Sequence, residues 1–174
     1  MAKKIYRKRY YRKKGKWSAN ISVINNKSIT ASSGYFYSYI DLCQNPAQNT
    51  TSVSQQYTVK NIELSYEIDM ANNENINIET LTAYIIYVPQ GMSLTIDYAN
   101  QHPEYIMAYR YLGKPVYNNY STNTGRNAVK IKTRLSRRLQ TGDKVILYLN
   151  GYNGAGTTYY LKFHGLIRWW TKAN

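Results

Sequence analysis

The sequence predicts an all-β domain carried behind a basic arm, and three observations predict it. Apolar side chains recur at every second residue in several stretches, the period of a strand with one buried face. Clusters of Gly, Pro, Asn and Asp break those stretches at short intervals, as turns do between strands. Tyrosine occupies 20 of 174 positions, and aromatics favour strands while also concentrating at protein interfaces. About eight strands with almost no helix are expected, at the spacing of a sandwich or barrel.

Taken in order, Trp17 to Ile24 alternates Trp17, Ala19, Ile21 and Val23 with Ser18, Asn20 and Ser22, which reads as a half-buried strand. Gly34 to Ile40, GYFYSYI, is aromatic enough for a second, and the polar residues 41–56 read as a loop. Tyr57 to Met70 holds the cleanest alternation, with Ile62, Leu64, Tyr66 and Ile68 set against Glu63, Ser65, Glu67 and Asp69. Thr80 to Val88 is apolar on both faces, which predicts a central strand, and Pro89 ends it. A short helical turn is expected around Asp97 to Tyr105, interrupted by Pro103. A strand over Tyr105 to Leu112 follows, and then turn-rich sequence over 113–125. Ala128 to Leu135 sets Val129, Ile131, Thr133 and Leu135 against Lys130, Lys132 and Arg134. Thr141-Gly142-Asp143 makes a turn into the apolar run Val145 to Leu149. GYNGAG (151–156) reads as a flexible connection, and Thr158 to Trp170 is a long last strand.

Ahead of this body, residues 1–16 form a separate unit. Nine of the sixteen are basic and none is acidic: Lys3, Lys4, Arg7, Lys8, Arg9, Arg12, Lys13, Lys14 and Lys16. Tyr6, Tyr10 and Tyr11 are interleaved with them. A polycation gains affinity for phosphates by releasing condensed counterions, and flat rings give unpaired bases a surface to stack on. Self-repulsion without apolar burial predicts an arm that is disordered until a polyanion neutralises it. Nucleic-acid binding is therefore the reading of these residues, against the plainer alternatives of a solubilising tail or a nuclear-import signal, the latter compatible with binding.

The remaining 158 residues hold 14 basic and 9 acidic side chains, a surplus of five within the overall formal charge of +14. Eight of the basic residues lie between Tyr105 and Gly142 with no acid among them: Arg110, Lys114, Arg126, Lys130, Lys132, Arg134, Arg137 and Arg138. Side chains two apart on a strand share a face, so Lys130, Lys132 and Arg134 are expected together. Such a face is either a solvated exterior or a lining for nucleic acid, and the absence of acids tips the reading toward lining, with Arg137 and Arg138 beside it.

Catalysis finds little support. Two histidines, His102 and His164, and the single Cys43 are widely separated in sequence, which is not the spacing of a metal cluster. No nucleophile-elbow pattern is present, and the glycine-rich 151–156 lacks the lysine of a phosphate loop. No cofactor, metal or catalytic residue is expected. One cysteine cannot form an internal disulfide and reads as a small buried hydrophobe. No apolar run reaches the roughly 20 residues of a membrane span. A soluble protein of a reducing compartment, with a polyanionic partner and no membrane partner, is the expectation.

Three stretches then carry a family resemblance: YIIYVPQG (Tyr84–Gly91), HPEYIMAYRYLG (His102–Gly113) and TRLSRRLQTGDKVILYLNGY (Thr133–Tyr152). With the basic arm and the long aromatic last strand, the chain from Tyr57 onward resembles capsid proteins of circular, replication-protein-encoding single-stranded DNA viruses, the circovirus-like group. The resemblance implies one eight-stranded jelly roll over residues 17–174, a T = 1 icosahedral shell of sixty copies, and a circular single-stranded DNA genome inside. It also implies residence in the virion, with a host nucleus possible during assembly and a host attachment factor of unknown kind. Sixty arms of nine charges carry about 540 positive charges, enough to neutralise part of a genome on the order of a thousand nucleotides. The arm is shorter and richer in lysine than in animal circoviruses, which leaves host and genus open. The competing readings are the coat of a small RNA satellite virus, a cellular nucleic-acid-binding module, and a jelly-roll sugar-binding module or enzyme.

Overall fold

The computed structural model describes residues 16–44, 56–70, 78–113 and 129–173. The strands are β1 (Ser18–Ala31), β2 (Gly34–Gln44), β3 (Tyr57–Met70), β4 (Ile78–Val88), β5 (Ile106–Gly113), β6 (Val129–Lys132), β7 (Ser136–Leu139), β8 (Lys144–Asn153) and β9 (Tyr159–Ala173). Between β4 and β5 lie one helical turn, α1 (Tyr98–Gln101), and a 3-10 turn at Pro103–Tyr105, where the sequence places a helical turn broken by proline.

All pairings are antiparallel. One sheet runs β1-β9-β3-β6, with β7 also on β3, and the other runs β2-β8-β4-β5. Apart from the directly paired β4 and β5 and the two short strands β6 and β7, strands consecutive in sequence lie in opposite sheets, the double Greek-key order of a jelly roll. The fold is therefore the expected eight-position jelly roll, its sixth position split into two short strands, β6 and β7.

The split has a cause in β3. Asn61 has φ 51°, and the β3–β9 register shifts between Lys60 and Glu63. The chain beside it follows suit: β6 pairs Glu63 to Tyr66, β7 pairs Tyr57 to Lys60, and residues 133–135 leave the ladder between them. Thr133 is buried there, its N–H donating to Ile62 O at 2.9 Å. The strand expected over Ala128 to Leu135 thus stops at Lys132, a second short strand follows only from Ser136, and Leu135 is 52% exposed rather than inward.

Between the sheets, Ile62, Leu64 and Tyr66 of β3 meet Leu161, Phe163 and Ile167 of β9 and Leu81, Ala83 and Ile85 of β4. Each fully buried aliphatic here contributes about 1.5–3 kcal/mol. Tyr66 and Phe163 stack with ring centroids 5.2 Å apart. Gly165 makes room for them, because a Cβ there would stand 2.8 Å from the Phe163 ring. Cys43 packs against this core, and burial pushes its thiol up to about 12, so it is inert at neutral pH, as a buried hydrophobe should be.

β1 overturns one expectation. Its alternation is real, yet Ile21 and Val23 are 66% and 59% exposed while Asn20, Ser22 and Ile24 face inward. Asn20 satisfies its amide through Thr171 Oγ1 at 3.0 Å and Ser18 O at 3.2 Å. A bulge between Ile24 and Lys27, with Asn26 at φ 55°, then reverses the parity. Ile29 and Ala31 enter the core as a result.

A second, smaller core lies outside the second sheet. Residues 89–105 fold back over it, so that Tyr98, Ala99 and Leu94 cover Ile86, Ile146 and Tyr148. Tyr148 Oη donates to the carbonyls of Thr95 and Ile96, and Asn150 Nδ2 to Ile96 O. Asp143 fixes the base of this strap by accepting from Gln90 N, Gln140 N and Tyr87 Oη at 2.7–3.0 Å. The glycine-rich connection is tied down too, which corrects the reading of it as flexible. Gly151 to Asn153 belong to β8, and the buried Asn153 donates to Ala31 O and Thr157 O.

Candidate nucleic-acid interface

Inward positions on β3 and β9 fix the outward ones, and the outward residues carry the charge. On β3 the outer face holds Thr58, Lys60, Glu63, Ser65 and Glu67. On β9 it holds Lys162, His164, Leu166, Arg168, Trp170 and Lys172. Register places Arg138, Thr58 and Lys172 in one row, Lys60 and Trp170 in the next, then Lys132, Glu63 and Arg168, then Lys130, Ser65 and Leu166. Lys130 and Lys132 thus share a face, as expected.

The structure treats the other predicted residues differently. Arg134 is exposed in the break at 133–135 and does not continue the row of Lys130 and Lys132. Arg138 is exposed on the outer face beside Thr58. Arg137 points the other way, donating to Glu104 O with its guanidinium carbon 5.6 Å from the Tyr87 ring centroid. Arg110 is held by Lys130 O at 3.0 Å. Lys132 is partly neutralised by Glu63 at 3.3 Å, an exposed pair worth at most about 1 kcal/mol. Lys3, Lys4, Tyr6, Arg7, Lys8, Arg9, Tyr10, Tyr11, Arg12, Lys13 and Lys14 lie outside the described residues.

Lys16 is the first described residue, and basic and indole side chains surround the point where it joins β1. Trp17 lies under Lys60, whose Nζ stands 3.8 Å from the ring centroid. Ser18 pairs with Thr171, next to Lys172. Arg168 covers the Trp170 ring at 4.6 Å. Lys16, Lys60, Arg138 and Lys172 therefore gather at one end of the first sheet, where the arm leaves it, with Trp17 and Trp170 among them. The sequence reading missed Lys60, Lys162, Arg168 and Lys172. Their signal was present: Lys162, Arg168 and Lys172 all fall on even positions of the last strand, opposite the apolar Leu161, Phe163 and Ile167.

The same outer face is divided. Toward β6 and β7 it is basic, whereas toward β1 it is apolar, with Val23 paired to Leu166 and Ile21 to Arg168. The second sheet's outer face differs again. Its register gives rows Tyr35-Tyr152-Thr80, Tyr37-Asn150-Thr82-Tyr111 and Tyr39-Tyr148-Tyr84-Tyr109. Those rows hold no charged side chain.

No protein-family model and no curated sequence matches the chain. Among solved structures, it is similar to a chain in the three-dimensional structure of maize chlorotic mottle virus, at 10% identity and TM-score 0.43 over 90% of this chain and 93% of that one. It is also similar to chains of infectious bursal disease virus. One, of the Gx strain, has 10% identity and TM-score 0.35, with 90% of this chain covered. Another, of the VP2 subviral particle, has 9% identity and TM-score 0.38, with 88% covered. This chain spans 32% of each of those two. The strand order carries the fold and the side chains carry the site.

Proposed function

We propose that the chain is a viral coat protein that assembles with copies of itself into a closed shell and holds a nucleic-acid genome through its basic arm and the cations at the arm's root. The observation that carries this reading is the gathering of Lys16, Lys60, Arg138 and Lys172 around the point where the arm joins a jelly-roll body. A polycationic tether of nine charges continues into a cationic floor, so a phosphate backbone meets positive charge on both. Contacts of this kind are to phosphates and stacked bases, which makes binding tolerant of sequence and selective for single strands.

The family resemblance refines the proposal to a T = 1 shell of sixty copies around circular single-stranded DNA, with the virion as the protein's location. Sixty copies of a 20.2 kDa chain give about 1.2 MDa of protein. The test is sedimentation and negative-stain imaging of the purified full-length chain, with nuclease typing of what it encloses. Isometric particles of one size holding single-stranded nucleic acid are expected. A folded chain that stays monomeric or dimeric across ionic strength and pH would overturn the coat reading, and enclosed RNA from infected material would redirect it to an RNA virus.

A further inference from the structure

Two exposed surfaces remain that neither the core nor the basic site uses. One is the part of the second sheet's tyrosine face that residues 89–105 leave open, where Tyr35, Tyr109 and Tyr111 are 63–72% exposed and Tyr37 and Tyr39 about 40%, Tyr148 between them being buried under the strap. At roughly 200 Å² per tyrosine side chain, these amount to about 600 Å², most of the roughly 800 Å² that each partner contributes to a stable interface. The other is the apolar stripe of β1 and β9, with Ile21 66%, Val23 59% and Leu166 46% exposed.

We infer that the tyrosine face of one copy docks on the Ile21, Val23 and Leu166 stripe of a second copy. The inference rests on the assembly reading above and names its contact. Charge selects the occupant. Copies carrying a formal +14 repel one another, and the three tyrosine rows hold no charged side chain; the one cation against them, Lys144, lies 5.0 Å from the Tyr39 ring centroid and is already paired with Asp41 at 3.1 Å. A phosphate backbone finds no unpaired cation there, since those rows offer ring faces, hydroxyls and the side chains of Thr80 and Thr82. The stripe supplies what such a face lacks, bare aliphatic groups, and Arg168 beside it can lie over a tyrosine ring as it already lies over Trp170. Since the two surfaces sit on opposite sheets of one sandwich, the contact is head-to-tail, the kind that closes into rings when the rotation between copies allows.

The experiment uses three full-length chains: wild type, a Tyr109→Lys/Tyr111→Lys double variant and Val23→Lys. All three sites are solvent-exposed, and circular dichroism with thermal unfolding confirms that each chain folds. Should either lysine chain fail that check, Tyr109→Ser/Tyr111→Ser and Val23→Thr carry the same readout. Each variant alone is expected to lose the particle peak in sedimentation at low salt. A 1:1 mixture of the two is expected to form heterodimers, because each supplies the surface the other has lost. Assembly of the tyrosine variant like wild type overturns the tyrosine face as the contact. Assembly of Val23→Lys like wild type overturns the head-to-tail pairing. Both results would leave the coat reading standing, whereas a wild type that does not assemble removes that reading and this inference with it.

Discussion

Tyr66 is a full-sized aromatic sealed between the sheets, and its hydroxyl finds no hydrogen-bond partner among the described residues. Burial pushes its pKa upward, with the charge of Arg110 opposing. A buried hydroxyl without a partner gives up its hydration for nothing, a loss of about 1–3 kcal/mol. Tyr66→Phe keeps the ring that stacks on Phe163 and discards the orphan. It is expected to raise stability by about 1 kcal/mol, which is roughly 2–4 °C in Tm for a chain of this size. A thermal scan showing a lower Tm would mean that the hydroxyl has a partner. That Tyr66 points inward was legible in the alternation of Tyr57 to Met70. That its oxygen would be stranded was not, because satisfaction depends on what β9 and the second sheet bring opposite. Ile21 and Val23 teach the complementary lesson. Period two reveals two faces of a strand and leaves open which of them is buried, and here the polar face turned inward because Thr171 offers Asn20 a partner.

At the scale of elements, the two departures from the expected strand pattern both stand beside an asparagine in the left-handed region, Asn26 and Asn61. Asparagine tolerates that conformation better than most residues, whereas a β-branched side chain there is strained. Asn61 sets the shift of β3 against β9 and, through Ile62 O and Thr133, the break that separates β6 from β7. Asn61→Val is therefore expected to destabilise by about 1–2 kcal/mol, while Asn61→Gly stays within about 0.5 kcal/mol of wild type. Urea midpoints of the three chains check this, and a harmless valine would remove the bulge as the cause of the split. A bulge adds one residue to an otherwise regular alternation. This one lies in β3, so the alternation of 128–135 carries no sign of it and reads as one strand although the ladder ends at Lys132 and resumes at Ser136.

For the whole molecule, the question is how the cationic work divides between the arm and the body. The arm's nine charges were plain in the sequence, being contiguous. The body's cluster was not, because Lys60, Arg138 and Lys172 lie on three strands and meet only when β7, β3 and β9 pair. If the arm makes most phosphate contacts, deleting residues 2–16 removes up to nine of them. For single-stranded DNA the slope of log K against log salt should become shallower by up to roughly 6, at about 0.7 per contact. Replacing Lys60, Arg138 and Lys172 together with Ser removes three contacts and should reduce the slope by up to roughly 2. A Lys130/Lys132/Arg134→Ser chain tests the row first read from the sequence, and its effect should fall below three full contacts because Glu63 already holds Lys132. Body contacts depend on the fold, so the two Ser variants must also be shown to unfold at the wild-type temperature. Salt titrations of these chains against one oligonucleotide decide the division. An unchanged slope on deleting the arm would make the sheet surface the principal site, and an unchanged slope on replacing Lys60, Arg138 and Lys172 would make the arm's root a mere anchor.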